Sequence, residues 1–248
     1  VVNYATLEIR GEEMEYVVYT NRGKIREDNE DSYLVKTRPF PLFAVADGMG
    51  GHQAGEVASQ LAVKFLDSYT FDTGNLSIAI EEAINKANEE IFQLGVNKAS
   101  YQGMGTTLSM GIILNNKLFI GHVGDSRIYI YRDGELKQLT TDHSLVNELL
   151  ENKQITSQEA FNHPQKNIIT QALGISQNLN VEIKEIDLLK GDLLLFSTDG
   201  LHDLLCYQEI NEFLATGKEI ESISNLMGEE ALHKGGNDNI TFIIVKLD

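Results

Sequence analysis

The chain has 248 residues, with 37 Asp and Glu against 20 Lys and Arg for a formal net charge of -17, and Cys206 is its one cysteine. That length suits one large domain with its own core, and no Pro/Gly/Ser-rich or charge-block linker divides it; the lone thiol excludes an internal disulfide, and no Cys/His cluster suggests zinc. The acidic balance, with no local basic patch, argues against nucleic acid, and no apolar run nears the roughly 20 residues of a membrane helix, so a cytoplasmic protein with no membrane association is expected.

Residues Val1–Glu13 lack clear periodicity and are set aside as a leader or upstream extension, leaving 14–248 as a single catalytic domain. Short β-branched or aromatic runs bounded by Gly, Asp, Asn or Pro then predict strands at Tyr16–Thr20, Ser32–Lys36 and Leu42–Ala46. Helical spacing follows, with Val57, Leu61 and Phe65 on one face of Ala54–Tyr69, and Ile80, Ile84, Ala87 and Ile91 on the next segment. From Thr106 to Leu139 short strands return, with Asn115-Asn116 and Asp133-Gly134 where tight hairpin turns fall. A polar helical region is expected over Ser144–Ala160, strands at Asn180–Asp187 and Asp192–Ser197, helices at Gln208–Leu214 and Glu219–His233, and a last strand at Ile240–Leu247. This order does not alternate strand with helix. It points to antiparallel sheets covered by helices, an α+β fold.

Four aspartates stand at strand ends near glycine: Asp47 after Leu42–Ala46, Asp199 after Leu193–Ser197, Asp125 in Phe119–Arg127, and Asp238 in Gly235–Asn239 before the final strand. Any one Asp-Gly pair is more often a plain turn. Four in such settings are better explained as oxygen ligands carried on rigid strand ends, as hard cations such as Mg²⁺ and Mn²⁺ require. Upstream, Gly23–Ser32 crowds acids around Arg26, whose planar fork and permanent charge suit phosphate.

Taken in order, Arg26–Ser32, Asp47–Gly51, Gly103–Thr107, Gly124–Arg127, Thr198–Gly200 and Gly236–Asn239 resemble the signature series of the protein phosphatase 2C family of metal-dependent phosphatases. The resemblance runs from Tyr16 to the C-terminus, and Asp142–Leu149 with His163–Asn167 resemble its bacterial branch. It implies an αββα sandwich, two antiparallel sheets flanked by helices, with a metal cleft at one end. It also implies that Asp47 bridges two tightly bound Mn²⁺ or Mg²⁺ ions, with Glu30 and the Gly48 carbonyl on one and Asp199 and Asp238 on the other. Asp125 and Asp199 would hold a weaker third ion, Arg26 the substrate phosphate, and residues 144–167 a flap. Asp47, Asp199 and Arg26 are thus the expected catalytic set.

The activity implied is hydrolysis of phosphoserine and phosphothreonine in proteins by metal-activated water, opposing a bacterial Ser/Thr kinase, in a monomer. Met49 stands where some eukaryotic relatives carry a histidine considered as proton donor, and thioether sulfur cannot donate. His52 and His202 lie near the motifs but are better read as helix-start residues, and Cys206 as a core or helix-end thiol. Two alternatives compete: a catalytically inactive binding module of the same fold, and a metal-dependent phosphoesterase for small phosphates.

Overall fold

The structure, a computed structural model, describes residues 2–9, 12–51, 53–156, 159–160 and 163–247. Strands β1 (Val2–Ile9), β2 (Glu12–Asn21), β3 (Ser32–Lys36), β4 (Leu42–Ala46) and β5 (Gly48–Met49) precede helices α1 (Ala54–Ser68) and α2 (Leu76–Asn97). After a 3-10 turn at Ala99–Tyr101 come β6 (Gly105–Thr106), β7 (Leu108–Leu114), β8 (Lys117–Val123), β9 (Arg127–Arg132), β10 (Glu135–Gln138) and α3 (Leu145–Glu151). The chain closes with β11 (Glu182–Asp187), β12 (Leu193–Ser197), α4 (Asp199–His202), α5 (Tyr207–Leu214), α6 (Ile220–His233) and β13 (Ile240–Leu247).

Two antiparallel sheets form, one in the order β1-β2-β13-β12-β9-β10 and one in the order β11-β8-β7-β4-β3. Side-chain alternation along the strands sorts their residues into layers. In β4, Phe43 and Val45 face the other sheet, where they meet Val18, Phe196 and Ile243; Leu42, Ala44 and Ala46 point outward to a core shared with α1 and α2. In β13, Ile243 and Val245 face inward, while Phe242 and Ile244 pack with Ile210, Ile223 and Met227 of α5 and α6. With both faces of each central strand covered, β4 is buried at every position, which is why it reads as an unbroken apolar run. The result is helices, sheet, sheet, helices: the αββα sandwich. Among the described residues no helix is long and apolar enough to cross a membrane.

The hairpins turn as expected. Asn115 and Asn116 adopt φ 52° and 58°, and Asp133 and Gly134 adopt 53° and 85°, the left-handed pairs that match strand twist. Three elements differ from expectation. Val2–Ile9, set aside in the sequence, pairs along β2 as an edge strand, with Leu7 opposite Met14 and Val2 opposite Tyr19. The helix expected over Ser144–Ala160 stops at Glu151, because Lys153 turns left-handed (φ 56°) and the Lys153 and Gln154 amides return to the carbonyls of Leu150 and Leu149. Asp199–His202 coils into one helical turn directly after β12.

Candidate active site

Register places the motif residues at one end of the sandwich. Ser32 pairs with Ala46, so Glu30 and Asp31 enter beside Asp47; Ser197 pairs with Phe242, so Asp199 leaves where Asp238 arrives. Backbone contact then fixes each piece. The Asp47 amide donates to Thr107 Oγ1 at 2.9 Å, and its carbonyl accepts from the Thr107 amide and the Thr106 hydroxyl, both at 2.9 Å. Asn239 is a clamp: its Oδ1 accepts from the Glu30 amide at 2.8 Å, and its Nδ2 donates to the carbonyls of Arg22 and Asp28, each at 2.9 Å.

Two glycines permit approaches that a side chain would block. A Cβ on Gly200 would lie 1.9 Å from the Asn239 carbonyl oxygen, so Asp199 is drawn against the Asp238-Asn239 corner. One on Gly55 would lie 2.8 Å from the Gly48 carbonyl and 2.9 Å from Glu30 Oε1, so the first turn of α1 seats Glu30 beside Gly48. The Glu30 carbonyl accepts from Ser59 Oγ at 2.5 Å, a second tie to that helix.

Among the described residues, Glu30, Asp31, Asp47, Asp125 and Asp199 form no ion pair. Burial, followed by the charges of Asp199, Asp31, Asp125 and Asp238, pushes Asp47 well above the usual carboxylate range. Asp199 is pushed up to about 7 by burial and then by Asp238 and Asp203, and Asp31 to about 7 by burial against only the Thr241 and Thr198 hydrogen bonds. Asp125 is raised by burial and Asp199, and Glu30 by burial. Asp199 Oδ1 and Asp31 Oδ1 are buried with no hydrogen-bond partner. Of the nearby cations, Arg26 Nη2 meets Asp238 Oδ2 within the site at 2.7 Å, while Arg127 grips Asp142 through Nε and Nη2.

An all-oxygen, mutually repelling, under-partnered donor set suits hard divalent cations. Among the described residues no three acidic, His or Cys side chains converge on one ion-sized point. Asp238 explains part of this, since Oδ2 is held by Arg26 and Oδ1 by the Asn239 amide at 2.8 Å.

Beside Asp125 and Asp199 lies a cavity of about 210 Å³, walled on its far side by Val146, Leu150 and Lys166; Lys166 Nζ pairs with Asp203 at 2.8 Å. On the other flank, Arg26, Glu30 and Tyr101 line an open groove. His202, read in the sequence as a helix-start residue, is instead the last residue of α4: it is buried, bonds Ser197 Oγ at 3.0 Å, and its pKa falls well below the usual value through burial. Met49 sits in β5, paired with Gly105 of β6, and Cys206 caps α5, where Glu209 accepts its amide hydrogen. His52 lies outside the described residues.

A family model for protein phosphatase 2C matches residues 21–234. The chain belongs to the protein phosphatase 2C family. A serine/threonine phosphatase stp of Listeria monocytogenes is 38% identical over 237 residues, covering 92% of this chain and 94% of that one. Stp1 of Staphylococcus aureus superposes with a TM-score of 0.89 at 33% identity, over 94% of both chains. The catalytic domain of the serine/threonine phosphatase PstP, solved with two manganese ions, superposes at 0.84 with 35% identity, over 94% of this chain and 98% of that one. Membership of this metal-dependent family accounts for a buried carboxylate cluster with so little counter-charge. It does not by itself give roles to Asp31 and Asn239, which lay inside the motifs without an assigned part, or to Gly55, which the motif reading passed over. Asp31 was signalled only by standing beside Glu30 at a strand mouth, and the other two only by glycine and asparagine where a helix or strand begins.

Proposed function

We propose that this member of the protein phosphatase 2C family hydrolyses phosphoserine and phosphothreonine in proteins, through water activated by divalent cations. The observation that carries this reading is the cluster of Asp47, Asp125 and Asp199, buried, raised in pKa and delivered by both sheets, with an unpartnered oxygen on Asp199. Asp47 would bridge two ions, Glu30 and the Gly48 carbonyl completing one site and Asp199 and Asp238 the other, with Asp125 and Asp199 serving a weaker third. When bound, Mn²⁺ or Mg²⁺ supplies hydroxide near neutral pH and clamps an in-line displacement at phosphorus.

The chain's own residues then hold and orient. Arg26, about half exposed at the rim, uses one donor on Asp238 and keeps the rest of its five-donor fork for phosphate oxygens. The backbone ladder under Asp47 stops that carboxylate from moving as charge develops. No protein nucleophile takes part, and Cys206 serves as a cap. Met49 donates no proton to the leaving alkoxide.

We further read the chain as one catalytic domain that includes the edge strand Val2–Ile9 and in which 144–167 form the flap beside the cleft, acting as a cytoplasmic monomer opposite a Ser/Thr kinase. Hydrolysis of a phosphothreonine peptide with Mn²⁺, and its loss in chelator, is the test; full turnover in chelator would sink the mechanism.

A further inference from the structure

Behind Asp125 the polypeptide is held by a histidine to which the chemistry above gives no role. Gly124 has φ 110°, and a Cβ there would lie 2.6 Å from the Thr107 side chain, so the Asp125 loop is pressed onto β7 with little room of its own. On the open side it meets His143. The Gly124 amide donates to His143 Nδ1 at 3.1 Å, and the His143 amide donates back to the Gly124 carbonyl at 2.7 Å.

A backbone N–H can only donate, so Nδ1 carries the lone pair and the proton of the neutral ring is on Nε2. The ring lies 5.0 Å from that of His122, which is buried and bonded to the Thr141 carbonyl at 3.1 Å; Thr141 in turn gives its amide and hydroxyl to Glu182. The surroundings of His143 are therefore rigid.

Its main chain also closes the root of the 144–167 segment. The Thr170 amide donates to the His143 carbonyl at 2.8 Å, and the Leu145 amide to the Ile168 carbonyl at 2.9 Å. One residue thus touches both Thr170, where the chain returns from that segment, and the turn that carries Asp125.

We infer that His143 is a positioning residue, whose imidazole fixes the Gly124 amide and so ties the Asp125 carboxylate to the root of the flap. This rests on the reading of Asp125 as a weak-site ligand. Its consequence is that displacement of the flap root and displacement of Asp125 are one event.

The test compares His143→Asn, which offers an acceptor oxygen near the place of Nδ1, with His143→Leu, which keeps bulk and has none. In the metal-free full chain, amide hydrogen exchange at Gly124 should speed up by about ten-fold or more in His143→Leu and stay near wild type in His143→Asn. Calorimetric titration with Mn²⁺ should lose the weak event in the leucine variant alone. Turnover of a phosphothreonine peptide should fall about ten-fold in kcat, with KM little changed, for leucine, and stay within about three-fold for asparagine. Joined to Asp125→Asn, His143→Leu should add little, because both remove the same carboxylate from its place.

Equal damage in the two histidine variants with Gly124 still protected would reduce His143 to packing and overturn the proposal. So would losses that multiply with Asp125→Asn. A wild-type chain without Mn²⁺-dependent turnover would instead overturn the phosphatase reading, and the exchange rates at Gly124 would still decide the tether.

Discussion

Asp199 holds its proton in the folded chain up to about pH 7, whereas an ordinary aspartate releases it near 3.8. Asp31 behaves alike. Between those values the native state binds more protons than the unfolded chain, so in chelator their contribution to stability is present in acid and is lost as pH rises toward 7. Melting of the chelated protein should therefore occur at higher temperature at pH 6 than at pH 8. Excess Mn²⁺ should reverse that order, since it binds the deprotonated carboxylates. Asp199→Asn removes the buried charge, and in chelator at pH 8 should stabilise the fold by about 1–3 kcal/mol while abolishing turnover. A destabilised Asn variant would make Asp199 a structural partner instead. Arg26 is expected to act on substrate: Arg26→Ala should raise KM for a phosphopeptide several-fold with modest change in kcat, read from steady-state kinetics, and a fall in kcat alone would move it to transition-state stabilisation.

Helix α1 sets two effects against each other at Gly55. Alanine has the higher helix propensity, worth roughly 1 kcal/mol over glycine in an exposed helix interior. Here the added methyl would meet the Gly48 carbonyl at 2.8 Å and Glu30 Oε1 at 2.9 Å, backbone and ligand that cannot both give way, so sterics should win. Gly55→Ala is expected to raise the Mn²⁺ concentration for half-maximal activity by ten-fold or more, and an unchanged metal dependence would show that α1 shifts harmlessly. Elements whose cause is local were legible before the structure. β3, β4 and the turns at Asn115 and Asp133 follow from alternation and left-handed residues. β1 was not, because its reason for being a strand is the ladder offered by β2. The early stop of α3 was hidden because a lysine, not a glycine, takes the left-handed position at 153.

Across the whole molecule, the net charge of -17 opposes a phosphorylated substrate and favours one whose flanking residues are basic. With the Debye length about 10 Å at 0.1 M salt, kcat/KM should fall with added salt for phosphopeptides with Lys or Arg flanks and rise for those with Asp or Glu flanks. Salt-independent rates for both would show that only local charges matter. The candidate aspartates stood out in the sequence at four corners, yet their meeting did not: Glu30 and Asp238 come together through register, the Arg26–Asp238 pair and the Asn239 clamp. That same geometry orders events in time. β13 lies between β2 and β12, so its residues 240–247 fill a slot whose first wall, ending at Asn21, is synthesised more than two hundred residues earlier. The nascent sheet keeps an open, apolar slot until residues 240–247 are made, and metal cannot close it early because Asp238 emerges only just before the strand that fills it.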